Sequence, residues 1–347
     1  MNTTQRTRSV AVVAAGAAAI LCMPPAGADA ATSAPIRNSV AITTTGMNYH
    51  VHGGLHPGIA SISWTNQDDE IHMMEMALLK PGVTQTQLAT AATKGDKALD
   101  QLVAEQPGPG WGTPNLLSPG ETETVTTHLR AGTYGLLCFV MGKDHMPHAA
   151  MGMVATLKVS GPAQSVAPAA AGTISIDDNG IHWPSGFTGK GTYAVRDTGR
   201  KDHALSIARL DKSVSLLQFM GSVNNTMQTG SAAHGGSLVG GVDALAAGRT
   251  AWVTLDLSAG RYGYLSPSDI TGPQLPKQSG EFTLGASPTA SPSVSSSSSA
   301  HTGPVVVTDG PATTGKSANW LLLAGIGAAA AAVIGGGTSV GRRLRRR

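Results

Sequence analysis

The sequence predicts an all-β protein made of two Greek-key β-sandwiches, with a short helical insertion in the first and a C-terminal transmembrane helix. Only 13% of the 347 residues are charged and 44 are glycine, which favours short strands and turns over long solvated helices. Several segments alternate apolar and polar residues, as half-buried strands do. One residue pattern also occurs twice. The length allows two domains that each bury a core.

The N-terminal residues 1–30 have the order of a secretory signal peptide. A basic start is followed by an apolar run and by the small residues Ala28 and Ala30, which fit a cleavage site. Cys22 would leave with this peptide. Cys138 would then be the single cysteine of the mature chain, which excludes a disulfide framework.

Residues 59–65 and 122–128 of the first copy alternate as half-buried strands do, and residues 134–140 and 153–159 are predicted to be its closing strands. Their close spacing, with early strands pairing with late ones, favours a Greek-key sandwich. Residues 84–104 place leucine and alanine on a helical spacing, which predicts a short helix over the sandwich.

The repeat is carried by matches without gaps at nearly constant spacing. The matching segments are 72–83 with 203–214 at an offset of 131, and 117–122 with 245–250 and 132–135 with 260–263 at an offset of 128. We therefore expect a tandem duplication. The domains would span residues 35–160 and 171–286, separated by a stretch rich in Gly, Pro and Ala.

The C-terminal part predicts a stalk and a membrane anchor. Residues 287–319 are mostly Ser, Pro, Thr, Ala and Gly, a composition that stays disordered. Residues 320–341 are uncharged and would span about 33 Å as a helix. The basic residues 342–347 are expected in the cytoplasm, which places the body outside the cell. Because residues 311–315 resemble a sortase signal, attachment to the cell wall is an alternative.

The net charge of +3 arises at the two ends of the chain. Between residues 31 and 319 there are 17 Lys and Arg against 20 Asp and Glu. The chain between its two ends is therefore not basic, and nucleic acid is not an expected partner.

Copy one concentrates residues that bind soft or borderline metal ions. Cys138 lies near the end of a predicted strand, His148 and Met153 follow it, and His72 follows an earlier strand. A thiolate, two imidazoles and a thioether suit copper, because sulfur favours Cu(I) and imidazole suits both oxidation states. An unpaired cysteine is more often a buried apolar residue, but this order of Cys, His and Met favours a metal site.

Three segments resemble the plastocyanin and azurin type of cupredoxin. They are Ile62-Ser-Trp-Thr-Asn66 followed by His72, Gly132-Thr-Tyr-Gly-Leu-Leu-Cys138, and His148-Ala-Ala-Met-Gly-Met153. The resemblance implies a β-sandwich with one type 1 copper, bound by His72, Cys138, His148 and an axial Met153. It also implies one-electron transfer with a redox partner that the sequence does not identify.

Nine residues separate Cys138 from His148, whereas the family places this histidine much closer to the cysteine. His145 is therefore a rival ligand and Met151 an auxiliary one, although the spacing to Met153 favours His148. The 128 offset places Ser266, Pro276 and Glu281 at the positions of Cys138, His148 and Met153. The second copy is thus expected to be degenerate and to bind no copper.

Two other functions remain open from the sequence. The extra methionines of copy one would suit a Cu(I) carrier or buffer at the cell surface, exchanging copper with a donor or acceptor. A metal-free structural surface protein is the third possibility. Catalysis is not expected, because the sequence lacks a His-Cys-His run for an oxidase and a convincing nucleophile–base set for a hydrolase.

Overall fold

The fold was examined in a computed structural model that describes residues 38–104, 110–269 and 274–285. The predicted signal peptide, stalk, transmembrane helix and basic tail lie outside these residues. Within the described ranges, none of the helices is both long and apolar enough to cross a membrane.

The described chain is mostly β-structure, which confirms the all-β prediction. The first half contains nine strands: β1 Ser39–Thr45, β2 Asn48–His52, β3 Gly58–Asn66, β4 His72–Met73, β5 Glu75–Leu78, β6 Leu116–Leu117, β7 Thr122–Leu129, β8 Gly132–Leu137 and β9 Val154–Val159. The predicted helical insertion forms two short helices, α1 Gln85–Ala92 and α2 Asp96–Asp100. Gly95 precedes α2 as its N-cap, and its φ of +87° lies outside the right-handed helical region. The chain therefore cannot continue from α1 into α2 as one helix.

The second half contains eight strands and one longer helix. These are β10 Thr173–Asp177, β11 Gly180–His182, β12 Lys190–Asp197, β13 His203–Leu210, β14 Gly236–Leu245, β15 Thr250–Asp256, β16 Gly260–Leu265, β17 Ser279–Leu284 and α3 Leu216–Thr229. The sequence analysis did not predict α3. A capping box begins it at Ser215 and Gln218, and Gly230 ends it in the left-handed conformation.

Strands of both halves form continuous sheets. An eight-stranded sheet runs β11-β10-β12-β15-β7-β3-β1-β2, a six-stranded sheet runs β17-β16-β13-β14-β6-β4, and a three-stranded sheet runs β5-β8-β9. The halves join where β7 pairs with β15, opposing Thr126 and Trp252, and where β6 pairs with β14. The main core contains Trp64 and Tyr134 of the first half together with Phe219 of the second.

The same order of pairings occurs in each half. β1 lies between β2 and β3 as β10 lies between β11 and β12, and β8 lies between β5 and β9 as β16 lies between β13 and β17. Tyr134 and Tyr262 each donate a hydroxyl hydrogen bond to the carbonyl four residues earlier. Equivalent backbone positions are therefore stabilised by equivalent side chains.

The register of the last strand corrects the expected correspondence. Gly132 pairs with Val159 and Gly260 with Leu284, so the offset is 128 on β8 and β16 but 125 on β9 and β17. Gln278, and not Glu281, therefore corresponds to Met153. A connection that is three residues shorter in the second half shifts the strand, which an ungapped alignment cannot detect.

Candidate metal site

Three predicted ligands meet in one buried cluster. Cys138 Sγ lies 3.6 Å from His72 Nδ1 and 3.5 Å from His148 Nδ1, and the two Nδ1 atoms are 3.2 Å apart. All three side chains are fully buried. Among the residues that the structure describes, this is the one group of three or more His, Cys, Asp or Glu donors so close together.

Strand ends place His72 and Cys138 against each other. His72 begins β4, and Cys138 follows the last residue of β8. The backbone N–H of Met73 donates to Cys138 Sγ at 3.4 Å, and the Tyr49 hydroxyl donates to the Met73 carbonyl. The sulfur therefore sits in a fixed polar environment within the core.

The long loop after Cys138 does not displace His148. Met141 and Pro147 pair as a small antiparallel bridge, and Gly142 N–H donates to Met146 O at 2.8 Å. The extra residues thus form a hairpin of their own. The chain then returns, with His148 N–H donating to Val140 O at 2.9 Å and Ala149 N–H donating to Cys138 O at 2.8 Å.

The remaining predicted ligands lie in different places. Met153 is fully buried at the start of β9, and its N–H donates to His148 O at 2.9 Å. His145 lies exposed near the tip of the hairpin at φ +59° and is not part of the cluster. Met151 is 45% exposed. The geometry thus favours His148 over His145.

Carboxylates contact both imidazole rings on the side away from sulfur. His72 Nε2 lies 3.0 Å from Asp68 Oδ2, and His148 Nε2 lies 3.3 Å from Glu70 Oε2 without hydrogen-bond geometry. Because the Asp68 carboxylate can only accept a hydrogen bond, His72 carries its proton on Nε2. The lone pair of His72 Nδ1 is then directed at the cluster. The sequence analysis missed these residues, although the acidic run 68–70 just before His72 pointed to them.

Burial governs the ionisation of the cluster. It lowers the pKa of His72 to about 4, an effect that the neighbouring His148 strengthens and Asp68 opposes. It also lowers the pKa of His148, with Glu70 opposing. Burial raises the pKa of the Cys138 thiol to about 12, against the Met73 N–H, which lowers it. At neutral pH both rings are uncharged, and a bound cation would displace the thiol proton.

The donor set fits a copper ion. Two neutral imidazoles and a thiol face one another within 3.6 Å, and this mixture of nitrogen and soft sulfur suits copper. Two Nδ1 lone pairs this close repel unless a proton or a metal ion lies between them. The second half lacks the set, because Ser266 accepts from Ala204 N–H at 3.0 Å where Cys138 accepts from Met73 N–H.

A surface cleft of about 400 Å³ lies outside the cluster, and His72 and His148 form part of its wall. The wall also includes the acidic run 68–70, the hairpin residues 142–144, and Met47 and Met151. The cluster is therefore buried but close to solvent on its histidine side.

No protein-family model matches the chain, and no curated protein is significantly similar to it. Among solved structures, the chain is similar to an auracyanin from Roseiflexus castenholzii, with 22% identity, 36% of this chain and 98% of that chain covered, and a TM-score of 0.25. It is similar to rusticyanin from Thiobacillus ferrooxidans, with 20% identity, 35% and 76% covered, and a TM-score of 0.21. A laccase from Botrytis aclada shares 14% identity, with 73% and 53% covered and a TM-score of 0.18. These similarities concern the fold only.

Proposed function

We propose that the chain is an extracytoplasmic, membrane-tethered type 1 copper protein that carries single electrons and does not itself catalyse a reaction. The observation that carries the proposal is the convergence of Cys138 Sγ with the Nδ1 atoms of His72 and His148. Because the cluster is fully buried, its donors are fixed by packing before any ion binds. Such preorganisation limits rearrangement between oxidation states.

Bound copper would supply a reversible Cu(I)/Cu(II) couple at this cluster. Cys138 would hold the ion through its sulfur, with the Met73 N–H keeping the sulfur in place. His72 and His148 would bind through Nδ1, while Asp68 keeps the His72 ring oriented from outside and Glu70 lies near His148 Nε2. Burial excludes water from these donors.

Met153 is proposed as the fourth residue that would hold the ion. Its side chain is fully buried and its backbone N–H is bonded to the His148 carbonyl, so it enters the core directly beside a proposed ligand. A thioether in this position would favour the reduced ion.

The second half is proposed to be a degenerate duplicate with no metal. Several equivalent contacts support the duplication. Helices α1 and α3 both begin with a capping box, at Thr84 and Ser215. Asn66 and Asp197 both bond the backbone N–H two residues ahead. Ser266 would stand in place of the Cys138 thiol, because it accepts from Ala204 N–H as Cys138 accepts from Met73 N–H.

The compartment and the anchor are proposed from the two ends of the sequence. A secretory signal peptide at residues 1–30 would export the chain, and the apolar segment 320–341 with its basic tail would hold it in the membrane. Cleavage within 311–315 would instead attach it to the wall. The partner would be an unidentified redox protein or a copper donor or acceptor.

A voltammetric experiment on the copper-loaded protein tests the electron-transfer function. We expect a reversible one-electron wave in the wild type and its loss in Cys138→Ser. Cu(I) binding that survives Cys138→Ser, with no reversible wave in either protein, would instead favour a Cu(I) carrier. A chain that binds no copper would favour a structural role.

A further inference from the structure

We infer that the cleft outside the two histidines is a Cu(I) uptake site, at which the ion binds before it reaches the buried cluster. This inference rests on the proposed copper function. The site combines acidic side chains of residues 68–70 and 144 with the thioethers of Met47 and Met151.

The burial of the cluster separates its donor atoms from ions in solvent. His72, Cys138 and His148 are all fully buried, so an ion in solvent cannot contact them directly. The two histidines form part of the cleft wall. Their Nε2 atoms are on the carboxylate side of the rings, and His148 Nε2 is buried without a hydrogen-bond partner. The cleft is therefore a direct route from solvent to the ligands.

The charge of the wall attracts cations. Asp68, Asp69, Glu70 and Asp144 line it, against one cation, Lys143. Carboxylates of one sign in a cleft raise the local concentration of positive ions. Lys143 is 80% exposed and lies 3.9 Å from Glu70, so it neutralises the wall only in part.

Two thioethers give the cleft a preference for Cu(I). Soft sulfur ligands select Cu(I) over harder cations. Met151 is 45% exposed, and Met47 is partly exposed in the wall of the same cleft. By contrast Met73, Met74 and Met76 pack in the core at 4% exposure or less. The cleft methionines are therefore free to bind an ion.

A soft donor and a charged donor face one small space beside Gly142. The point at which a Cβ on this glycine would stand lies 2.9 Å from Met151 Sδ and 3.0 Å from Asp144 Oδ1. The thioether and the carboxylate therefore lie close together on one side of Gly142, where a cation in the cleft would contact both. The ion would then pass to the buried donors, and the Cys138 proton would leave to solvent through the cleft.

Uptake kinetics of the full-length apoprotein test this inference. Cu(I) is supplied as its bicinchoninate complex, and the loss of the complex's colour gives the uptake rate. We expect M47L/M151L to take up Cu(I) slower by about tenfold, the scale on which outer groups affect metal binding. Final copper per chain should be unchanged. Cu(II) uptake should also keep its rate, because a thioether contributes little to binding that ion.

M146L is the matched control, because Met146 is 47% exposed on the same hairpin but is not part of the cleft wall. It should take up Cu(I) at the wild-type rate. Gly142→Ala, which fills the space between the two donors, should slow uptake as M47L/M151L does. Met to Leu conserves volume, and full final loading shows that the variants fold.

Uptake by M47L/M151L as fast as by M146L would overturn this inference alone. Equal slowing of Cu(I) and Cu(II) would overturn the role of the thioethers. A wild-type protein that takes up no copper would overturn the proposed function together with the inference.

Discussion

Asp68 holds the imidazole of His72 from outside the metal cluster. Its Oδ2 accepts from His72 Nε2 at 3.0 Å and from Met47 N–H at 3.2 Å, while Oδ1 accepts from Gly46 N–H at 2.6 Å. The turn between β1 and β2 thus fixes the carboxylate, and the carboxylate fixes the ring. An outer contact of this kind sets both the tautomer and the direction of the Nδ1 lone pair.

Asp68→Asn should weaken copper binding by roughly 10- to 100-fold, the range for loss of an outer partner of a ligating histidine. The amide carries no charge, so its bond to the ring is weaker. Competition with a chelator of known affinity measures the change. Asp69→Asn, in the same cleft wall, is the control. Equal affinities of the two variants would show that Asp68 does not position His72.

The order of Cys138, His148 and Met153 led the sequence analysis to predict a metal site, and the structure brings His72, Cys138 and His148 together at strand ends. The sequence could not select Asp68 and Glu70 from the other acids. Their contacts depend on how the 46–47 turn and the hairpin approach the acidic run, which is set by tertiary packing. Local spacing does not encode that approach.

The hairpin after Cys138 shows how an element absorbs extra length. In the sequence, the nine residues between Cys138 and His148 made His145 a rival ligand. In the structure, the bridge between Met141 and Pro147 closes the insertion on itself. Helix α3 of the second half supports it, because Met141 N–H donates to Met227 O at 3.3 Å. A Cβ on Gly230 would lie 2.5 Å from the Gly142 carbonyl carbon, so the close approach requires glycine.

Strands β7 and β14 meet at a buried carboxyl. Glu123 Oε1 accepts from Asn115 N–H and Oε2 from Gly241 N–H, both at 3.0 Å. The pKa of Glu123 is raised to about 8. Burial is the main cause, the nearby Asp243 acts in the same direction, and the two backbone N–H groups oppose it. Burial also raises the pKa values of Asp243 and Glu75. At neutral pH the folded protein thus keeps Glu123 mainly protonated at this junction.

The free energy of unfolding should fall as pH rises from about 6.5 to about 8, a range in which His72 and His148, whose folded pKa values are lowered, are mainly neutral in both the folded and the unfolded state. In this window Glu123 is protonated when folded and ionised when unfolded, so the folded state binds more protons and stability decreases with pH. One such group gives a slope of at most about 1.4 kcal/mol per pH unit. Denaturant unfolding at several pH values measures it.

Glu123→Gln cannot ionise and should flatten this pH dependence. Asp256→Asn is the control, because Asp256 is 85% exposed, and it should keep the wild-type slope. A wild-type stability that rises with pH across the window would contradict the ionisation assigned to Glu123.

At the scale of the whole molecule, the two halves share sheets and a core. The repeat in the sequence predicted two similar units with a linker between them. It could not predict that β7 would pair with β15. This pairing depends on which sheet edges the two halves bring together, and that is decided by tertiary packing. The three-residue shift on β17 was also hidden, since it arises after the last matching segment, 132–135 with 260–263.

The central claim is that one copper ion is bound through Cys138 in the first half only. The most direct test is the visible absorption spectrum of the full-length protein titrated with Cu(II). We predict an intense thiolate-to-copper band that saturates at one copper per chain and is absent in Cys138→Ser. Ser266→Ala, at the equivalent position of the second half, should leave the band unchanged. A colourless protein, or a band that persists in Cys138→Ser, would contradict the claim.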